Sequence, residues 1–264
     1  MLNRQILEEF TKNFYGYGNL NSDIWFIALE EGGGANEDEI QKRINVWNDN
    51  GKKILEDCKS FHISIGIDKW FLSKDLYKSD QIPLQSVWRQ YIRFYFFLKN
   101  NSNFILSDNQ NLLIKRYQRD KFGKLDGEFS ILELRPLPSK NMKSWIYGEI
   151  SDIEFLKTRE KYENFITEIR ITKIKELIKK YKPKKVFFFS TATETIILWK
   201  KIINQNLNEN LELGYFYSQI DGVDYFILEH PISRTMIRHN KRIYGLNNNY
   251  YEKIGNKIFL DGSK

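Results

Sequence analysis

Two acidic residues, Glu30 and Glu31, close the apolar run Ile24-Trp25-Phe26-Ile27-Ala28-Leu29 and are followed at once by Gly32-Gly33-Gly34. Six apolar residues behind Asp23 read as a strand buried on both faces, the kind found inside a parallel sheet. The strand delivers two carboxylates onto a loop whose glycines accept almost any backbone geometry. Ligands of open α/β sheets bind just beyond the carboxyl ends of the strands. Carboxylates placed there can stabilise a developing cation, or orient and deprotonate a water. Two further strands end in polar groups. Phe129-Ser130-Ile131-Leu132-Glu133-Leu134 runs into Arg135-Pro136-Leu137-Pro138-Ser139-Lys140-Asn141, and Val223–Leu228 runs into Glu229-His230-Pro231-Ile232-Ser233-Arg234.

The elements that must hold these groups follow from hydrophobic periodicity. Residues 2–14 make an amphipathic helix with Ile6, Leu7 and Phe10 on one side. A glycine turn at Tyr15-Gly16-Tyr17-Gly18-Asn19 precedes the strand at 24–29. Glu37-Asp38-Glu39 opens a helix with acids in its first turn, as the helix dipole favours, running to about Cys58 with a break near Asn50-Gly51. The stretch 59–83 reads as irregular, with Trp70, Phe71 and Tyr77 exposed. In 84–99 the residues Val87, Trp88, Tyr91, Phe94, Tyr95 and Leu98 recur at helical spacing as a core stripe. A short helical stretch at 103–118, a strand at 129–134 and a long helix at 151–181 follow. Pro183 stops that helix before the strand at 186–189. The hydroxyls of Ser190-Thr191-Ala192-Thr193 open a helix at 192–203. Strands 213–217 and 223–228 pair through Asp221-Gly222, and a last helix covers 248–260. The alternation implies a three-layer α/β/α fold with a central, mostly parallel sheet of about four strands. The chain reads as one domain, 1–264, with a helical, aromatic insertion at about 60–120, and the strand ends near 30, 135 and 230 lie along one edge.

A net charge of +7 and a pI of about 9.1 favour a polyanionic partner, although lysine-rich chains show this bias without one. The single cysteine, Cys58, excludes an internal disulfide, a cysteine zinc site and a cysteine-bound iron–sulfur cluster. No apolar run approaches membrane-spanning length, and the start at Met1-Leu2-Asn3-Arg4-Gln5 lacks signal-peptide features, so a cytoplasmic location is expected. Nothing spaces ligands for a metal, no cofactor is expected, and His62 and His239 read as surface residues.

In this order the motifs resemble those of the uracil-DNA glycosylase superfamily. Ala28-Leu29-Glu30-Glu31-Gly32, behind Tyr17-Gly18-Asn19, stands where members carry GQDPY, GEAPG or GINPG, and His230-Pro231-Ile232-Ser233 stands where they carry HPSP. Lys182-Pro183-Lys184-Lys185-Val186-Phe187-Phe188-Phe189-Ser190-Thr191-Ala192-Thr193 is similar to their PKVVVALGATA passage, and Leu134-Arg135-Pro136 to CRPP. The likeness runs from about 14 to 245. The first motif here lacks the family's Pro, carries Leu29 in place of a small or polar residue, and the cluster-binding cysteines of some members are missing.

The resemblance implies hydrolysis of the bond between a base and its sugar, with positive charge on the sugar and negative charge on the departing base. It makes Glu30 the catalytic carboxylate and His230 the donor to the base, with Glu31, Gly32, Ser130 and Glu133 around the base. The base must leave the duplex, and members push an apolar side chain into the gap. Here that loop holds Met236 and Ile237 among Arg234, Arg238, Lys241 and Arg242, which with Arg135 are the candidate DNA contacts. The Asn that reads uracil in the family is absent. Glu133, as an acceptor, would suit the amino group of cytosine, and three glycines and the aromatic insertion would widen the pocket. The expectation is therefore a monomeric, monofunctional DNA glycosylase acting on a modified pyrimidine, such as glucosylated hydroxymethylcytosine of phage DNA in an anti-phage defence role. The alternatives are a uracil-DNA glycosylase of base-excision repair and a non-catalytic DNA-binding member of the fold. Only Lys140 stands near enough to supply an amine for lyase chemistry. A dinucleotide-binding fold is disfavoured, because the triple glycine does not give G-x-G-x-x-G.

Overall fold

The computed structural model describes residues 2–75, 80–141, 143–231 and 249–261. Eight strands form one sheet: β1 (Gly16–Gly18), β2 (Ile24–Gly32), β3 (Leu55–Glu56), β4 (Phe129–Ser139), β5 (Lys185–Phe189), β6 (Asn208–Asn210), β7 (Tyr215–Ile220) and β8 (Val223–Leu228), in the order β3-β1-β4-β2-β5-β8-β7-β6. The four central strands, β4-β2-β5-β8, run parallel. On one side β1 pairs antiparallel with β4 and parallel with β3; on the other, β7 and β6 add antiparallel pairs. The sheet is thus mixed and twice the size expected. The added edge strands β1, β3 and β6 are two or three residues long, too short to leave a period-two pattern in the sequence.

Alternation along the central strands sends side chains to two cores. Phe26, Phe129, Ile131, Phe187, Phe189 and Phe226 face one; Trp25, Ile27, Leu132, Val186, Phe188 and Tyr225 face the other. The helices are α1 (Arg4–Asn13), α2 (Glu37–Asp49), α3 (Cys58–Ser64), α4 (Ser86–Leu98), α5 (Ser102–Ile105), α6 (Gln110–Asp120), α7 (Tyr147–Ile150), α8 (Arg159–Tyr181), α9 (Thr193–Ile203) and α10 (Asn249–Asp261). Buried residues of α1 to α7 and α10 join the first core; α9 and the second half of α8 join the second. The aromatic stripe of α4 packs as expected: Tyr91 and Phe94 lie against Phe26, at 5.3 and 6.1 Å between ring centroids. No helix among the described residues is long and apolar enough to cross a membrane.

Three local expectations are corrected. The helix after Asn36 breaks near Asn50-Gly51 as expected but does not resume toward Cys58: it ends at Asp49, because Gly51 and Lys52 take positive φ, and Asp57 then caps a separate α3 through the amide of Ser60 at 2.9 Å. His62 and Phe71, expected at the surface, are 2% and 1% exposed, because α3 turns His62 inward; Tyr77 lies outside the described residues. The long helix begins at Arg159, capped by Thr158, rather than near 151.

One buried arginine joins α8 to the sheet. Arg170 is fully buried and donates to the carbonyls of Phe14 at 2.7 Å, Glu133 at 2.6 Å and Leu134 at 3.1 Å, with its guanidinium over the Tyr15 ring at 3.3 Å. It satisfies acceptors that the β1–β4 junction leaves inside the protein. Arg170→Leu strands them, and urea denaturation is expected to show a loss of about 3–5 kcal/mol; a loss below 1 kcal/mol would show that the carbonyls find other partners.

Candidate active site

The parallel ladder between β2 and β4 pairs Ala28 with Glu133 and Glu30 with Arg135, then shifts register so that Gly32 meets Ser139. This irregularity re-aims the side chains at the strand end, and the adjacent glutamates take different partners. Glu30 receives Arg159 Nη1 at 2.8 Å and Nη2 at 3.3 Å; the same guanidinium donates to Ser139 Oγ at 2.7 Å and lies 5.0 Å over the Trp145 ring. Burial pushes the Glu30 carboxyl above its ordinary value, against the pull of Arg159.

Glu31 faces α2 and α3. Its Oε2 accepts from Tyr17 Oη at 2.9 Å and Arg43 Nη1 at 3.1 Å, and its Oε1 lies 3.2 Å from His62 Nε2. His62 Nδ1 sits 2.7 Å from the Cys58 carbonyl, which can only accept, so this nitrogen carries a hydrogen. Burial alone would raise the Glu31 carboxyl, but the Arg43 charge and the hydrogen bonds from His62 and Tyr17 outweigh it and lower it to about 2. Arg43 is itself buried and shared with Glu39, whose carboxylate also holds the amides of Gly34 and Ala35. A cleft of about 410 Å³ opens beside this cluster, lined by Glu31, Gly32, Arg43, His62, Trp70 and Trp88 among others. Trp88 stands edge-on to His62 at 5.2 Å and to Trp70 at 6.4 Å. Such walls suit a flat ring.

Glu133 lies one strand away, level with Ala28 and on the face toward α4, and is 7% exposed. Its Oε2 has no hydrogen-bond partner among the described residues. Burial, then the charges of Glu31 and Glu30, push its carboxyl well above the usual range. Beyond the end of β8, burial lowers His230 to about 4, which leaves its imidazole neutral. Strand β8 is two positions from β2 and three from β4, which sets the ends of β8 and β2 about 10 Å apart across the sheet edge.

Level with the ends of β5 and β8 the sheet brings together Glu30, Glu31, Gly32, Glu133 and Arg135, with His230 just beyond β8; β4 runs on to Ser139, so Glu133 and Arg135, expected where that strand stops, lie within it. Their surroundings differ. Glu31, expected beside the base, lines the cleft; Glu30, expected as the catalytic carboxylate, is paired with Arg159 and does not. Arg135 is buried and ion-paired with Glu163 at 2.9 Å, so it is no surface cation. Ser130 pairs with Trp25 near the other end of β4 and donates to the Asn19 carbonyl, far from the carboxyl edge. The glycines do not widen the loop as a set. A Cβ on Gly34 would meet the Pro138 carbonyl at 2.5 Å, and only Gly32 has open space around it. Arg234, Met236, Ile237, Arg238, His239, Lys241 and Arg242 lie outside the described residues. Arg43, His62 and Arg159 escape a linear reading, because a helical cation or histidine carries no mark of the strand it will meet. No family model, characterised protein or solved structure matches this chain.

The Glu31 network has a pH signature. Its stabilisation is complete above the ordinary carboxylate value of 4.5 and is lost as pH falls toward about 2, because the unfolded chain takes up the proton first. Wild type and Glu31→Gln are expected to differ by roughly 3 kcal/mol near pH 6 in chemical denaturation, with the gap closing between pH 4.5 and about 2. A gap independent of pH would mean that the charge of Glu31 is not its source.

Proposed function

We propose that the protein is a DNA glycosylase that hydrolyses the N-glycosidic bond of a flipped-out pyrimidine, foremost a modified cytosine, and leaves an abasic site. The observation that carries this reading is the ionised Glu31 on the wall of an aromatic cleft at the carboxyl edge of the parallel sheet, with Glu133, its carboxyl pushed up by burial, and the neutral His230 along the same edge. The three groups have complementary work. As the bond from C1′ to the base nitrogen breaks, its electrons leave with the base and the sugar becomes cationic. Glu31, too weak a base to hold a proton, stabilises that cation and orients the water that adds to C1′; the proton of that water then passes to solvent. Neutral His230 donates to the base carbonyl that gathers negative charge.

A protonated Glu133 offers a hydroxyl donor and a carbonyl acceptor side by side. It pairs with N3 and the amino group of cytosine in one orientation, and with N3–H and the carbonyl of uracil in the other. Base choice therefore falls to the space around the ring, and the open flank at Gly32 favours a substituted pyrimidine. A second reading, a DNA-binding protein without chemistry, is favoured by the ion pairs that hold both Glu30 and Glu31 to arginines.

Base release from duplexes containing uracil, cytosine, hydroxymethylcytosine or glucosylated hydroxymethylcytosine, read as alkali-labile sites, separates these readings. Release from a modified cytosine is expected. Glu31→Gln is expected to slow it by about 10²–10³-fold with DNA binding retained, and Glu30→Gln by much less. The reverse order would place the catalytic carboxylate at Glu30. Release from uracil alone would make the enzyme one of repair, and binding without release from any duplex would favour the binder.

A further inference from the structure

Most polar side chains that line the Glu31 cleft are already engaged. Glu31, Glu39, Arg43 and His62 bond one another, Tyr17 and the neighbouring backbone, while Asp68 and Lys69 sit at the exposed rim. Gln85 differs from all of these. It is the N-cap of α4, and its Oε1 accepts from the Trp88 amide at 2.7 Å. An amide hydrogen can be met only by an acceptor, so this bond fixes which end of the side chain is oxygen. The oxygen is committed to the helix. Nε2, a donor with two hydrogens, has no acceptor among the described residues and is the polar end left to the cleft. Ser, Thr, Asp or Asn would cap the helix as well or better, so capping alone does not require this longer amide.

The same residue is held firmly. Its backbone N–H donates at 3.0 Å to Oε1 of Gln118, a fully buried residue of α6. Gln118 Nε2 in turn donates to the carbonyls of Trp70 at 2.8 Å and Pro83 at 3.0 Å. One buried amide thus ties the Trp70 wall to the residue that starts the Trp88 helix. The free donor therefore stands at a fixed place beside both aromatic walls, and needs no rearrangement when a ring enters.

We propose that Gln85 donates to a carbonyl of the ring held in this cleft; on the glycosylase function proposed for the cleft, on which this rests, that carbonyl is O2 of the flipped pyrimidine. Glu31, which serves C1′ in that function, lines the same cleft, and O2 sits on the ring carbon next to the nitrogen that leaves C1′. As the electrons of the breaking bond pass to the base, charge gathers on O2. A donor already in place there binds the transition state more tightly than the ground state. Gln85 gives up no proton: its hydrogen bond strengthens, and the base leaves with the electron pair. O2 has two lone pairs, so this donor adds to His230 rather than replacing it.

Two variants remove the donor in different ways. Gln85→Glu keeps the length and the capping oxygen, and Gln85→Ser keeps a cap without adding a charge near Glu31. On whichever of the four duplexes the wild type cleaves, both are expected to lower kcat for base release about 10²-fold, with KM and the thermal midpoint little changed. The 2-thio analogue of the same base puts sulfur, a weak acceptor, in place of O2. On it the gap between wild type and Gln85→Glu is expected to shrink to about threefold or less, which a merely structural role would not produce. Wild-type kcat in both variants would overturn the proposal and leave the glycosylase function standing, as would an equal loss on the oxygen and sulfur bases. Wild-type protein that releases no base from any duplex would overturn both.

Discussion

The parallel pairing of β2 with β4, and its break in register past Glu30, is the constraint on which the carboxyl edge depends. A regular strand would send Glu30 and Glu31 to opposite faces with the parity of Phe26 and Trp25. The break instead leaves Glu31 among the side chains of α2 and α3, on the face of Phe26, where Arg43, His62 and Tyr17 meet it. Glu30 turns to the start of α8 and Arg159. Two neighbours of one residue type thereby acquire opposite electrostatics: burial prevails at Glu30 and raises its carboxyl, while the partners prevail at Glu31 and lower it.

Bringing three carboxyls to one edge is costly unless their charges are separated or quenched. The protein does both. Arg43 and Arg159 take the two charged strand ends, and Glu133, whose buried Oε2 has no hydrogen-bond partner among the described residues, has its carboxyl pushed up by burial. Titratable groups driven apart by their environments are how one site offers an anion, an acid and a neutral donor at the same pH. The same packing that separates them also fixes them, since Arg170 anchors the Glu133 carbonyl and so the height of β4 above α8.

The two ends of the sheet differ in character. The carboxyl edge is rich in acids held by buried arginines, whereas the amino end carries lysines around exposed tyrosine. The overall charge of +7 is thus spread unevenly over the fold.

The four parallel strands, their helices and the gathering of residues 30, 133, 135 and 230 on one edge were legible in the sequence. Each is a matter of local pattern: apolar runs of strand length, helical spacing of aromatics, and polar residues where the runs stop. The Asp221-Gly222 hairpin was legible for the same reason, since both residues take the positive φ that such a turn demands. Chain-distant contacts were not. Arg43, His62 and Arg159 reach their glutamates across 12, 31 and 129 residues, and no periodicity records which strand end a helix will cover. The upward push on the Glu133 carboxyl was likewise decided only in three dimensions, because it comes from burial and from the charges of Glu31 and Glu30. Residue type told where chemistry could lie; burial and partners told which of the glutamates is charged.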